Sequence, residues 1–366
     1  MLFFSLILLL SFELKAQSDS KTELIKLNEG EMKLIEKRGA NNSELKHRYL
    51  ELMSEKIGFI RERENKFYMN LKAEARKERT KDSFFEESKN YYKKTKDYGL
   101  ELIKNHPRYD RIAEVLYTLA INARDFSKDK EEESFFLDAL KRTSQDSPVA
   151  HQSHIGLAEF YYNEKKFEEA HKYYRKIIEV ESDTWLPKHL YNMAWCELKL
   201  RKFSSSIELM KRAFELARDP SYLSNADDVL GHIGMFYIQA DRAEEGIDFY
   251  LQKNIRPAYY LFKMSRNLAE KGQYELTRKT LNQALELSSD KAQKNNDELH
   301  ADIRLFQLEF YRNFAQADHF VETAEALSKE KLNEQQRDEA IQKTREYSGY
   351  LQIRLTENAK KNIRTY

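Results

Sequence analysis

The chain has 366 residues and a formal net charge of +1, so no strong field draws in nucleic acid or an anionic membrane. Its ten Gly and five Pro are far fewer than globular chains commonly carry, which favours long helices with short connections. With 34% charged and 12% aromatic residues, the composition excludes a disordered chain and predicts a folded, all-helical protein.

The first stretch, Leu2 to Phe12, is apolar apart from two serines and is too short to span a bilayer. It is typical of the apolar region of a secretory signal, with cleavage expected after Ala16. No basic residue precedes it, and Leu14 is a poor fit to the small-residue position before the cleavage site. We expect residues 1–16 to be a signal peptide and the protein to be exported, with a buried helix or a membrane tether as the alternative.

Residues 17–80 are predicted to form an N-terminal helical segment. Its main helix is expected from Glu44 to about Arg79, with a narrow apolar seam made of Leu45, Tyr49, Leu52, Ile57, Ile60, Phe67 and Leu71. Such a seam belongs either to the first helix of an irregular repeat or to a coiled coil that joins two copies of the chain. Homo-oligomerisation through residues 44–80 therefore stays open at this point.

The next helix has a start signal at Ser83, where Ser-Phe-Phe-Glu matches the capping-box pattern. Downstream, prolines recur at intervals of 33 to 41 residues, at Pro107, Pro148, Pro187, Pro220 and Pro257. Proline suits a loop or the first turn of a helix and damages helix interiors. Each one precedes the first helix of a candidate helix pair, so the spacing predicts an array of repeated hairpins.

Residues 151–181 show the repeated unit best, as two short amphipathic helices joined by a turn at 163–166. Small residues at Ala158 and Ala170 would let the helices approach closely. Later pairs are predicted around 188–213, 233–250, 261–284 and 298–329, and their expected buried residues include Leu190, Ile233, Leu261 and Val321. A last helix from Asn333 onwards has an apolar stripe that includes Ile341, and otherwise has the polar character that suits the end of a stacked array.

This order of small and large residues resembles the tetratricopeptide repeat, a helix–turn–helix unit of 34 residues. The residues that carry the likeness are His154 at the family's Trp position, Leu157 and Ala158 at its Leu-Gly, then Tyr161, Ala170, Tyr174 and Ile177. The resemblance implies a right-handed α-solenoid over residues 81–330 with a capping helix over 331–366. It also resembles the exported bacterial proteins of this family that serve envelope machines.

Motifs for phosphate cradles, serine hydrolases and zinc proteases do not occur in the sequence. His151 and His154 lie three residues apart without an obvious third ligand, and Cys196 is the only cysteine, so ordinary packing or surface roles are predicted for all three. We predict no catalytic residues, no metal and no cofactor. The enzyme interpretation is the weakest of those considered.

The resemblance implies a concave face, lined by the first helices, that holds a peptide or helix of a protein partner. Counting from the repeat at His151, the positions expected there are Glu159, Tyr162, Lys188, Tyr191, Trp195, Met235, Tyr259, Phe262 and Arg266. Aromatic residues and Arg are common anchors of protein interfaces. The alternative is that Tyr191, Trp195 and Phe262 simply pack between neighbouring first helices.

The sequence thus predicts a non-enzymatic adaptor of the bacterial cell envelope that binds a protein, and neither nucleic acid nor a small-molecule substrate. The alternative is an assembly subunit that oligomerises through the N-terminal helix.

Overall fold

A computed structural model describes residues 22–38, 42–72, 80–180, 182–289 and 296–364. All regular structure in these ranges is helical, which confirms the all-α prediction. The helices, numbered in chain order, are α1 (22–37), α2 (Ser43–Asn70), α3 (Glu86–Asn105), α4 (Ile112–Asp125), α5 (Asp129–Lys141), α6 (Pro148–Asn163), α7 (Phe167–Ile177), α8 (Leu186–Lys199), α9 (Phe203–Leu216), α10 (Ala226–Gln239), α11 (Ala243–Lys253), α12 (Pro257–Glu270), α13 (Tyr274–Ser288), α14 (Asn296–Asn313), α15 (Ala317–Leu327) and α16 (Glu334–Arg364). The predicted signal peptide lies outside the described residues.

The chain divides into two compact units, Met1–Glu179 (unit 1) and Val180–Tyr366 (unit 2). The hairpins α4/α5 and α6/α7 belong to unit 1, and α8/α9, α10/α11, α12/α13 and α14/α15 to unit 2. The boundaries predicted at 80/81 and 330/331 follow the sequence pattern and stay predictions. Across the described residues, no helix is both long and apolar enough to cross a membrane.

One turn geometry joins the two helices in all six of these hairpins. A residue with positive φ stands two positions before each second helix, at Ser127, Lys165, Arg201, Asp241, Gly272 and Ala315. The amide that follows it donates to the carbonyl five residues back, as Lys166 does to Tyr161 at 2.8 Å and Gln316 to Tyr311 at 2.8 Å. This is the long hydrogen bond of the Schellman motif, which ends one helix and reverses the chain.

Several residues of the apolar seam of α2 are buried within the chain itself. Leu52, Ile57 and Ile60 are buried, and Leu52 packs with Met32 and Ile35 of α1. Phe67 is exposed, and α2 ends at Asn70, earlier than the predicted Arg79. The packing agrees with an irregular repeat, while self-association through residues 44–80 stays a prediction.

The predicted capping box at Ser83 is wrong. Residues 81–85 form a 3-10 turn, and the Ser83 hydroxyl donates to the Thr80 carbonyl at 2.9 Å. The start of α3 is instead held from a distance, because the amide of Ser88 donates to Glu64 of α2 at 3.1 Å. A carboxylate from another helix replaces the local partner that the sequence pattern indicates.

Small buried residues hold the hairpin α6/α7 together, as predicted. Ala158 and Ala170 are fully buried, and Tyr161 and Tyr174 pack around them. Gly156 lets the hairpins α4/α5 and α6/α7 approach closely, because a Cβ there would overlap the ring of Phe136 on α5. Phe136 itself is fully buried.

The later repeats also keep their predicted buried residues, such as Leu190, Ile233 and Leu261. Pro107 and Pro220 stand before a first helix, and Pro148, Pro187 and Pro257 lie within the first turn of one. These features confirm the hairpin array.

Two predicted core residues near the end of the chain are wrong. Val321 and Ile341 are exposed, whereas Phe320 and Leu327 of α15 are buried. The buried face of α15 is shifted by one residue. On α16 the polar Gln336 lies inside, because its amide donates to Asp302 at 2.8 Å.

Replacing Gly156 with Ala should destabilise unit 1 by about 2–3 kcal/mol, because the added methyl group overlaps a fully buried ring. Gly58→Ala is the matched control within a helix, since nothing lies within 4 Å of a Cβ there. That change should stabilise the chain by about 0.5–1 kcal/mol through helix propensity. Urea unfolding followed by circular dichroism measures both, and equal midpoints for the two variants would contradict the assignment of Gly156.

Candidate protein-binding face

The first helices of unit 2 contact one another in sequence, α8 with α10, α10 with α12 and α12 with α14. Neighbouring first helices therefore present a continuous set of side chains within this unit. We call the partly exposed residues Tyr191, Trp195, His232, Phe262, Arg266 and Phe306 the first-helix face.

An aromatic cluster joins α8 to α10. The Trp195 ring centroid lies 6.2 Å from that of Tyr191, 5.7 Å from His232 and 5.0 Å from Phe236, each in an edge-on arrangement. Phe236 is fully buried, whereas the other three rings are half-buried. The cluster thus packs between two first helices and still exposes part of each of three rings.

A hydrogen-bond chain orients the polar edge of this cluster. His232 Nδ1 lies 2.7 Å from the carbonyl oxygen of Asp228 and 3.2 Å from the hydroxyl of Tyr191. Because a carbonyl oxygen only accepts, Nδ1 of His232 is the donor in its contact with Asp228. Burial raises the pKa of Tyr191 above its usual value, so its hydroxyl remains a neutral donor and acceptor.

A second cluster joins α12 to α14. The rings of Phe262 and Phe306 lie 5.8 Å apart, and the Arg266 guanidinium sits 5.7 Å from the Phe306 ring centroid. The arrangement is an aromatic pair with a cation stacked on it, which binding surfaces use for both apolar and charged groups.

Three further predicted residues of unit 2 take no part in the ring contacts that define these clusters. Lys188 is exposed in the first turn of α8, and Met235 is half-buried on α10. Tyr259 is exposed at the start of α12, with the Arg256 guanidinium 4.4 Å from its ring centroid. Their contribution to one binding face with Tyr191 and Trp195 stays a prediction.

The other two predicted residues belong to unit 1. Glu159 of α6 accepts from Arg124 of α4 at 3.3 Å, so this pair ties two neighbouring first helices together. Tyr162 packs edge-on against Phe167 across the α6/α7 turn, with ring centroids 5.6 Å apart. Both residues have defined structural contacts within their own unit.

Sequence reasoning missed His232, Phe236 and Phe306. Residues 232 and 236 lie one helical turn apart on α10, a spacing that places them on one face. The sequence shows that spacing. It does not show that the rings of Tyr191 and Trp195 on α8 pack against this face, because those residues are distant along the chain.

Cys196 is confirmed as a packing residue of α8. It is fully buried, and burial raises the pKa of its thiol to about 12. A thiol held neutral in this way is a poor nucleophile.

Residues 151–184 match the model of the tetratricopeptide repeat family. The chain carries a tetratricopeptide repeat. The match covers α6, α7 and the loop that follows, the stretch that the sequence pattern had marked most clearly. The five other hairpins of the described residues share the α6/α7 turn, although their sequences diverge from it.

Solved structures of similar proteins include repeat-containing chains from bacteria. The C-terminal part of a tetratricopeptide repeat protein from Cytophaga hutchinsonii is 10% identical, with 69% of this chain and 95% of that chain covered and a TM-score of 0.42. One from Parabacteroides merdae is 11% identical over 70% and 93%, with a TM-score of 0.38. The pilF protein of Pseudomonas aeruginosa is 13% identical over 65% and 84%, with a TM-score of 0.32. A search of curated protein sequences gives no match.

Glu132, which lies near Arg124 and Glu159, is expected to make the stability of unit 1 depend on pH. Its side chain is only 4% exposed. Burial raises its pKa to about 7, with the nearby Asp129 and Glu159 adding to the rise and Arg124 opposing it. The folded state therefore holds the proton more tightly than the unfolded state, and stability falls as the pH rises from about 4.5 to 7.

Glu132→Gln should stabilise unit 1 by about 1–3 kcal/mol near pH 8, because it removes a buried carboxylate charge. The gain should shrink steadily towards about pH 4, where the wild-type side chain is protonated in both states. Glu168→Gln, at an exposed carboxylate in the first turn of α7, controls for the loss of one negative charge. Denaturant unfolding at a series of pH values measures the free energy of unfolding of each variant. A gain for Glu132→Gln that is the same near pH 8 and near pH 4 would show that the charge of Glu132 is not the cause.

Proposed function

We propose that this protein is a non-enzymatic adaptor that binds a protein partner through the first-helix face of unit 2. The observation that carries the proposal is the half-exposed cluster of Tyr191, Trp195 and His232, backed by the buried Phe236. Tetratricopeptide repeats generally serve as non-catalytic protein-binding scaffolds, since stacked hairpins create extended surfaces.

Aromatic side chains in this setting suit a protein ligand. A ring that is already fixed by its neighbours loses little conformational freedom when a partner covers it. Trp195 is fixed by three other rings, and Tyr191 is oriented by His232. The Phe262, Arg266 and Phe306 cluster offers a second fixed anchor on the same series of helices. A peptide or helix that uses both clusters needs an apolar residue for each and an acidic group near Arg266.

The proposal can be tested with a photo-crosslinking amino acid in place of Lys188, which lies one turn before Tyr191. In native cells this probe should form a discrete crosslinked product with a partner protein. Tyr191→Ala/Trp195→Ala should lower its yield about tenfold or more, because truncating aromatic anchors at an interface commonly costs 1–2 kcal/mol or more.

The matched control carries the same probe in place of Glu208, an exposed residue of the second helix α9, and should give no such product. Circular dichroism checks that each variant is folded. If the double variant unfolds, Phe262→Ala/Arg266→Ala tests the same face on another hairpin. Equal yields from folded variants and wild type would refute the proposed face.

We also propose that the protein is exported and acts at the bacterial cell envelope. The apolar stretch from Leu2 to Phe12 and the candidate cleavage position after Ala16 support this location. Intact-mass measurement of the protein purified from its native cell should give a chain that begins at Gln17. A chain that retains Met1 would contradict cleavage and favour a membrane tether.

A further inference from the structure

A row of leucines is exposed on α1, the first helix that the structure describes. Leu24, Leu27 and Leu34 are 55%, 63% and 60% exposed. Leucines that far from the core are common singly, but three along one side of a 16-residue helix form a patch that calls for an explanation.

The side of α1 next to the leucine row is firmly attached to the rest of unit 1. Met32 and Ile35 are buried against Leu52 and Met53 of α2. The amide of Asn28 donates to the Leu52 carbonyl at 3.1 Å and to the Glu55 carboxylate at 3.0 Å. The helix is thus held in place by one face, and the exposed leucine row lies beside that face, about a quarter of a turn around the helix.

Charged side chains follow one border of the leucine row, and most of them are basic. Lys26, Lys33 and Lys37 are exposed and follow helical spacing there, with the exposed Glu23 at the N-terminal end of the same border. Glu31 lies within the row, but Arg48 neutralises it with hydrogen bonds of 2.8 and 3.0 Å. The Arg48 contact also lowers the pKa of Glu31.

We propose that α1 lies in the surface of a bilayer that contains anionic lipids, with Leu24, Leu27 and Leu34 among the acyl chains. Lysines on the border of an apolar stripe extend to anionic headgroups while the stripe enters the layer beneath them. The inference is independent of the proposed protein-binding face, which belongs to unit 2. The inference does not depend on residues 2–12, which the proposed cleavage after Ala16 removes.

A second helix is a poorer occupant of this row. The spacing of the three leucines is that of coiled-coil core positions, and continuing it puts Glu31 at the remaining core position. A paired helix would strip water from the Glu31–Arg48 ion pair, which is costly. The headgroup layer of a membrane stays hydrated, so the pair can remain solvated there.

The test is co-sedimentation of the full chain with vesicles of phosphatidylcholine plus phosphatidylglycerol, compared with phosphatidylcholine alone. Wild type should partition preferentially onto the anionic vesicles. Leu24→Ser/Leu27→Ser/Leu34→Ser should weaken the partition coefficient about tenfold or more, because three interfacial side chains are lost. Lys26→Gln/Lys33→Gln/Lys37→Gln should remove most of the preference for anionic vesicles, and added salt should do the same to wild type.

The matched control is Leu223→Ser/Val321→Ser/Ile341→Ser, which replaces apolar residues of unit 2 that are 47%, 48% and 43% exposed and should sediment like wild type. Residues 2–12 are common to every variant, so their contribution cancels in the comparison. The proposal is overturned if the α1 leucine variant sediments like wild type or if wild type ignores the anionic lipid. A dimer that light scattering detects in wild type and not in the leucine variant would equally overturn it, since a second copy would then cover the row.

Discussion

The hairpins of this protein depend on one residue with a left-handed backbone conformation, with positive φ, between their two helices. The amide after it reaches a carbonyl five residues back, and this one bond ends the first helix and directs the second helix back along it. Five of the six positions hold residues other than glycine, each at some steric cost, as at Lys165 and Arg201. The packing of the two helices stabilises this geometry. The same turn therefore recurs in hairpins whose sequences no longer match the repeat pattern.

Close packing then decides how neighbouring hairpins meet. Gly156 admits the ring of Phe136, and Ala158 and Ala170 allow the helices of one hairpin to approach. Since protein interiors are packed as densely as crystals, a single methyl group added at Gly156 has no free space to occupy. The buried Glu132 shows the complementary electrostatic cost, because the same packing removes the water that would solvate its charge.

The proposed function rests on side chains that this packing leaves partly uncovered. The ring of Trp195 packs on Phe236 of the next first helix and is still only half-buried. Packing and binding were alternatives when only the sequence was considered, and a half-buried ring is compatible with both. The leucine row of α1 differs in kind, because its three leucines are more than half exposed and lysines follow its border. One surface suits a specific protein, and the other suits a fluid layer.

The sequence by itself determined the helical class, the hairpin array and the buried side of most helices, because apolar periodicity and proline position act within one helix. It also determined the repeat at 151–184. Tertiary structure alone decided the features that depend on a partner far along the chain. The Glu64 carboxylate replaces the expected cap at Ser83, and Ile341 is exposed while Gln336 is buried. His232 joins Tyr191 across a gap of 41 residues. Such contacts depend on how helices stack. The residue pattern within a single helix does not specify which side chains of another helix it will contact.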